Sequence, residues 1–199
     1  MESGNKQRHQ TALYEYEEEV LARRTSFANS RGYSGMKQER LNSGKDQTQD
    51  SEASRILEQL QDKQLLIVNS HRRNGLILYK RYHAEFAGPG AAVGGVFDLD
   101  CQRVLPVGDL SLINPKSSDD RQRAYLIRRQ WIRLTKQITD NPVPLQRAQM
   151  ILNQFDHYFD PGTITKLPDE AFALLVGVLP HTVGKVRNTD DRVDVSVSS

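Results

Sequence analysis

Five histidines, one cysteine and two closely spaced aspartates are the side chains of this sequence best suited to reaction or ligation. Their spacing limits what they do. His9, His71, His83, His157 and His181 never place two imidazoles on one helical turn, as a helix-borne zinc site requires. Asp98 and Asp100, two residues apart, share one face of a strand, but without further oxygen ligands they read as a hydrated acidic edge. Cys101 has only Arg103 nearby to activate its thiol, so it reads as a small core residue. The run Gly88-Pro89-Gly90-Ala91-Ala92-Val93-Gly94-Gly95 lacks both the Lys-Ser/Thr ending of a phosphate-cradling loop and the dinucleotide fingerprint, and is expected to join strands. No serine lies in a nucleophile elbow. The expectation is a protein that is not an enzyme, with no catalytic residue, no metal ligand and no cofactor.

Positive charge, by contrast, is concentrated. Arg121, Arg123, Arg128, Arg129, Arg133 and Lys136 fall in a stretch without an acid, and Arg129, Arg133 and Lys136 are spaced to line one helix edge, a footprint for phosphate. A second basic run, His71, Arg72, Arg73, Lys80, Arg81 and His83, is interleaved with Tyr79 and Tyr82, a composition that suits base stacking on a sheet or simply its wet face. The whole chain holds 27 Lys+Arg against 25 Asp+Glu, net +2, which excludes a histone-like coating protein. Any basic surface is local.

The elements that must position these residues follow from composition and period. Of 199 residues 37% are hydrophobic and 26% charged, with mean hydropathy −0.62, polar enough that part of the chain is expected outside any core. That part is residues 1–51, a mostly disordered arm whose branched aliphatics up to residue 50 are Leu13, Val20, Leu21 and Leu41. Within it 11–24 suits a helix, with acids first and arginines last. Residues 25–50 read as a linker. A helix then follows from Ser51, with Ile56, Leu57 and Leu60 on one side, ending at 61–64.

The runs 65–69, 75–86 and 93–100, broken at Asn74-Gly75 and Gly88-Pro89-Gly90, predict three or four strands of a small antiparallel sheet, with one more within 104–113. Beyond Pro115 the period becomes helical. Ala124, Ile127, Trp131, Leu134 and Ile138 form one apolar stripe after the start signal Ser118-Asp119-Asp120. Leu145, Ala148, Leu152, Phe155 and Phe159 form a second, from Pro144 to Pro161. The fold class expected is α+β: the disordered arm, a β-rich unit at 52–116, a helical unit at 117–188 and a flexible tail at 189–199. One cysteine excludes an internal disulfide, and no apolar run approaches the roughly 20 residues of a membrane helix. With no signal-peptide core at the start, the protein is expected to be soluble and cytoplasmic, with no membrane partner.

Residues 167–187, LPDEAFALLVGVLPHTVGKVR, resemble the helix-turn-helix family of DNA-binding modules. Ala173 stands where that motif needs a small residue, and Gly177, four places later, where it needs a left-handed turn. Phe172, Val176, Val178, Val183 and Val186 occupy its buried places, and Pro180 suits the first turn of the second helix. The resemblance implies that 169–176 braces the module and that 180–187 is a recognition helix for the major groove. By position it assigns His181 and Thr182 to phosphate or base edges, Lys185 and Arg187 to phosphate or guanine, and Asn188 to adenine or backbone. Gly184 within that helix forgoes about 1 kcal/mol relative to alanine.

Together these features predict a DNA-binding regulator of transcription acting on double-stranded DNA, with Arg129, Arg133 and Lys136 assisting on phosphate. A homodimer is expected for paired half-sites, joined by the β-rich unit or by the helix of Tyr14 and Tyr16. The competing expectation is a non-enzymatic regulatory adaptor for a protein or RNA partner, with the helix-turn-helix as scaffold.

Overall fold

A computed structural model describes residues 43–195 of the chain, with side chains for 51–188. The helix expected over 11–24 lies outside the described residues. The fold is α+β. In chain order it runs α1 (Ser43–Gln61), β1 (Leu65–Val68), β2 (Asn74–Tyr79), β3 (Ala84–Ala87), β4 (Ala92–Gly94), β5 (Arg103–Gly108), β6 (Leu112–Ile113), α2 (Ser118–Thr139), α3 (Pro144–Tyr158), α4 (Pro161–Ile164), α5 (Asp169–Val176) and α6 (Pro180–Val195).

Helix α1 begins at Ser43, so the last eight residues of the expected 25–50 linker are helical; that stretch, SGKDQTQD, is polar and carries no apolar period to mark a start. Helix α6 runs beyond Arg187 to Val195, so the expected flexible tail begins as helix. The strands form two three-stranded antiparallel sheets, ordered β4-β1-β6 and β3-β2-β5, where one sheet was expected. In the second, Ile77 of β2 pairs with Phe86 of β3 and Leu105 of β5. The run 75–86 is a hairpin, closed at Lys80-Arg81-Tyr82-His83 by the Lys80 N–H donating to the His83 carbonyl at 2.9 Å. Strand β2 is buried at all six positions, so no wet face alternates along it. Only the start of the run 93–100 is strand; Val96 to Asp100 form turns.

The helices start where their chemistry dictates. Ser117 caps α2, its hydroxyl accepting from the Asp120 N–H at 3.0 Å, with Asp119 and Asp120 at the positive end of the helix dipole. Pro144 opens α3, and Asp160 caps α4 through the Thr163 N–H at 3.0 Å. The stripe of α2 faces inward as its spacing predicts. That of α3 does so from Ala148 on; Leu145 is exposed instead, at the first turn.

The sheets and helices share one large apolar core, and Ile67, Ala92 and Ala124 form a second, smaller cluster. Phe86 of β3 meets Trp131 of α2 edge-on at 5.2 Å and Phe155 of α3 at 4.9 Å, and Phe155 meets Phe172 of α5 at 4.9 Å. The chain of rings links the β3-β2-β5 sheet to the C-terminal helices at offset and edge-to-face geometries that favour aromatic pairs. Gly88 lets the chain after β3 pass close to α2, because a Cβ there would lie 2.3 Å from the Trp131 ring.

Candidate nucleic-acid interface

The segment 169–188 turns as its spacing requires. Gly177 takes the left-handed conformation, φ 61° and ψ 49°, and both it and Val178 donate backbone N–H groups to the Ala173 carbonyl. Arg147 of α3 donates from Nη1 to the Val176 carbonyl at 3.1 Å, satisfying a second acceptor at the end of α5. Helix α6 then starts at Pro180, with the Thr182 N–H donating to the Leu179 carbonyl at 2.9 Å. Phe172, Ala173, Val176, Val183 and Val186 are buried and Val178 half-buried. Helices α3, α5 and α6 pack on one another around these side chains.

On α6, His181, Lys185 and Asn188 are exposed, and their spacing of four and three puts them on one face. Thr182 is half-buried beside them. Arg187 is turned inward. Its Nη2 donates to the Leu167 carbonyl at 2.9 Å and the Ile164 carbonyl at 3.4 Å. Its Nε stands 3.2 Å from Asp169 Oδ1, an ion pair without the alignment of a hydrogen bond, and its guanidinium lies 5.1 Å from the centre of the Phe172 ring. These contacts make Arg187 a tie between α6 and the start of α5.

On α2, Arg129 and Arg133 are exposed, whereas the Lys136 ammonium pairs with Asp140 one turn on at 2.9 Å. Arg128, counted in the same basic run, is buried and pairs with Glu85 and Asp98. The basic run of the strands is likewise dispersed. Tyr79 is buried with the Arg103 guanidinium 3.9 Å above its ring, Arg72 pairs with Asp109, and His83 lies 3.4 Å from Glu85. Tyr82 and Arg81 remain outside, 5.0 Å apart.

Asp98 departs furthest from its sequence reading. It is not on a hydrated edge but buried, accepting from the Gly94 N–H at 2.8 Å and the Lys80 ammonium at 2.9 Å, and lying 3.4 Å from the Arg128 guanidinium. Burial opposes the charge on Lys80, but hydrogen bonds to Asp100 and Asp98 outweigh it and hold the ammonium above its ordinary 10.5. Burial likewise pushes Glu85 up, yet the charge and hydrogen bond of Arg128, with smaller help from Lys80 and His83, hold it below its ordinary 4.5. No local spacing reveals this cluster, since Lys80 and Arg128 stand 18 and 30 residues from Asp98.

Elsewhere the chemistry is quiet. Burial pushes the Cys101 thiol up to about 11, and its Sγ donates to the Arg103 carbonyl at 3.2 Å. Among the described residues no group of three or more His, Cys, Asp or Glu is placed to hold a metal, and no helix is long and apolar enough to cross a membrane. The glycine-rich run 88–95 joins β3 to β4 and supplies β4 itself. No protein-family model matches the chain, and neither a curated protein nor a solved structure is significantly similar to it.

Proposed function

We propose that this chain is a DNA-binding regulatory protein of the cytoplasm whose helix α6 enters the major groove. The observation that supports this most directly is the corner itself: a left-handed Gly177 between two helices packed through Ala173, with His181, Lys185 and Asn188 on one exposed face of the second. His181 and Thr182, near the start of α6, address phosphate or base edges, Lys185 a phosphate and Asn188 an adenine edge. Arg129 and Arg133 add phosphate contacts, and a homodimer extends the reading to two half-sites.

The exposed Leu179, in the turn at 63%, favours a second reading in which the corner is a scaffold and the partner is a protein or RNA. Fluorescence anisotropy of random duplex DNA and of RNA, across a salt series, separates the two. Duplex binding that weakens steeply with salt and is lost in Lys185→Glu and in Arg129→Glu/Arg133→Glu supports groove binding. A wild-type protein that ignores duplex at low salt ends it.

A further inference from the structure

The turns at Val96 to Leu99 sort their side chains against polarity. Asp98 points inward, its side chain 3% exposed, onto Lys80, itself 4% exposed, and the Gly94 N–H. Val96, Phe97 and Leu99 point outward, the first two at 69% and 65% exposure. Withdrawing charges from water is costly, and covering apolar side chains is favourable, so this arrangement sacrifices stability on both counts. What it gains is an apolar display anchored by the buried Asp98.

The display continues onto α2. Phe97 lies edge-on to Tyr125 at 5.3 Å between ring centres, which carries the apolar surface onto the half-buried Tyr125 ring. Lys80 donates to the Phe97 carbonyl at 2.9 Å, which brings the turn bearing exposed Arg81 to the same loop. Arg121 and Arg129, both exposed, stand one helical turn before and after Tyr125. Asp100, the exposed acid of the loop, is already paired with Lys80.

We propose that this surface docks an acidic amphipathic helix of a partner protein, its apolar face on Phe97, Leu99 and Tyr125 and its carboxylates on Arg81, Arg121 and Arg129. Charge selects that occupant. A second copy of the chain would set arginines against arginines, whereas a carboxylate-bearing helix is complementary to the rim. Arg121 and Arg129 lie about 12 Å apart along α2, matching carboxylates two turns apart on a helix laid beside it. The proposal does not rest on DNA binding.

The test uses the full chain and a fluorescein-labelled synthetic helix of about 15 residues, with Leu and Phe on one face and Glu on the other. Its counterpart with Lys for Glu, and vesicles of phosphatidylglycerol and phosphatidylcholine, serve as competitors. Two variants are made, Phe97→Ser/Leu99→Ser and Arg81→Glu/Arg121→Glu, both at exposed positions and both checked by thermal unfolding. The proposal expects the acidic peptide to bind, the basic one not to, affinity to fall with salt, and each variant to weaken binding about tenfold or more. Failure of the acidic peptide to bind, equal binding by wild type and variants, or retention by vesicles alone overturns it. So does self-association, seen by sedimentation, that Phe97→Ser/Leu99→Ser abolishes. Duplex binding by the apolar variant stays intact whichever result is obtained, if the groove-binding reading holds.

Discussion

A Cβ on Gly184 would stand 2.9 Å from Oδ2 of Asp169, so the glycine of α6 lies directly against the first residue of α5. This contact accounts for a residue that helix propensity disfavours. In an open helix Gly184→Ala would stabilise by about 1 kcal/mol; here the methyl group displaces the carboxylate that pairs with Arg187, and the substitution is expected to be close to neutral. In the Asp169→Ala background the same change should recover roughly 0.5–1 kcal/mol. Urea unfolding of the four proteins in the cycle measures this, and additive effects would show that Asp169 does not set the limit.

Arg187→Ala removes hydrogen bonds to the Leu167 and Ile164 carbonyls. The expected cost is about 1–3 kcal/mol of stability. If Arg187 acts as a tie, the salt slope of duplex binding by the folded variant matches wild type, whereas Lys185→Glu lowers it. A slope reduced equally by both would make Arg187 a phosphate contact.

Asp98→Ala removes the carboxylate shared by buried Lys80 and Arg128, which keep Asp100 and Glu85, and about 1.5–3 kcal/mol of destabilisation is expected. An effect below about 1 kcal/mol, as for an exposed pair, would contradict the buried geometry.

Stability should also fall in acid through Glu85 and Asp100. A hydrogen bond from Lys80, the largest influence on Asp100, holds that carboxyl below its ordinary 3.8, as Arg128 holds Glu85 below 4.5. Their contribution is therefore complete above the unfolded values and lost as pH falls through the folded ones. Lys80, held above 10.5, behaves in the opposite sense, contributing fully below that value and losing its contribution as pH rises through the folded one. Urea midpoints from about pH 6 to 3 should decline, and less steeply in Glu85→Gln; identical slopes would remove Glu85 from the account.

Cys101, raised to about 11 by burial, is thiolate in only about one molecule in a thousand at pH 8. Disulfide reagents should modify it at the rate of unfolding and rapidly in denaturant. Fast modification of the folded protein would place the thiol at the surface.

What was readable in the sequence was local. The stripes of α2 and α3 and the Ala173–Gly177 corner depend on residues three to four apart, within reach of helical period and turn chemistry. Most strands were located, but 104–113 holds two strands where one was expected and 93–100 is mostly turn, and the grouping into two sheets was not legible, because register and burial depend on partners far along the chain. Strand β2 misled most: buried on every residue, it offers no alternation, and Tyr79 and Lys80 read as a wet face. Of the candidate reading face, the exposure of His181, Lys185 and Asn188 followed by position from the helix-turn-helix resemblance. The inward turn of Arg187 did not, since its acceptors lie 20 and 23 residues back.

Trp131, the sole tryptophan, sits where the ring of Phe86 meets the helices, and also touches Tyr158 at 5.0 Å. A single intrinsic fluorophore at that junction makes one emission signal a reporter on strands and helices together. It also means that the α5–α6 corner cannot be excised and carried to another scaffold intact: a fragment cut after β6 would uncover Phe86, and one beginning at α2 would leave Trp131 and Phe155 facing water. The corner of α5 and α6 is thus held in place by strands that lie far from it in sequence.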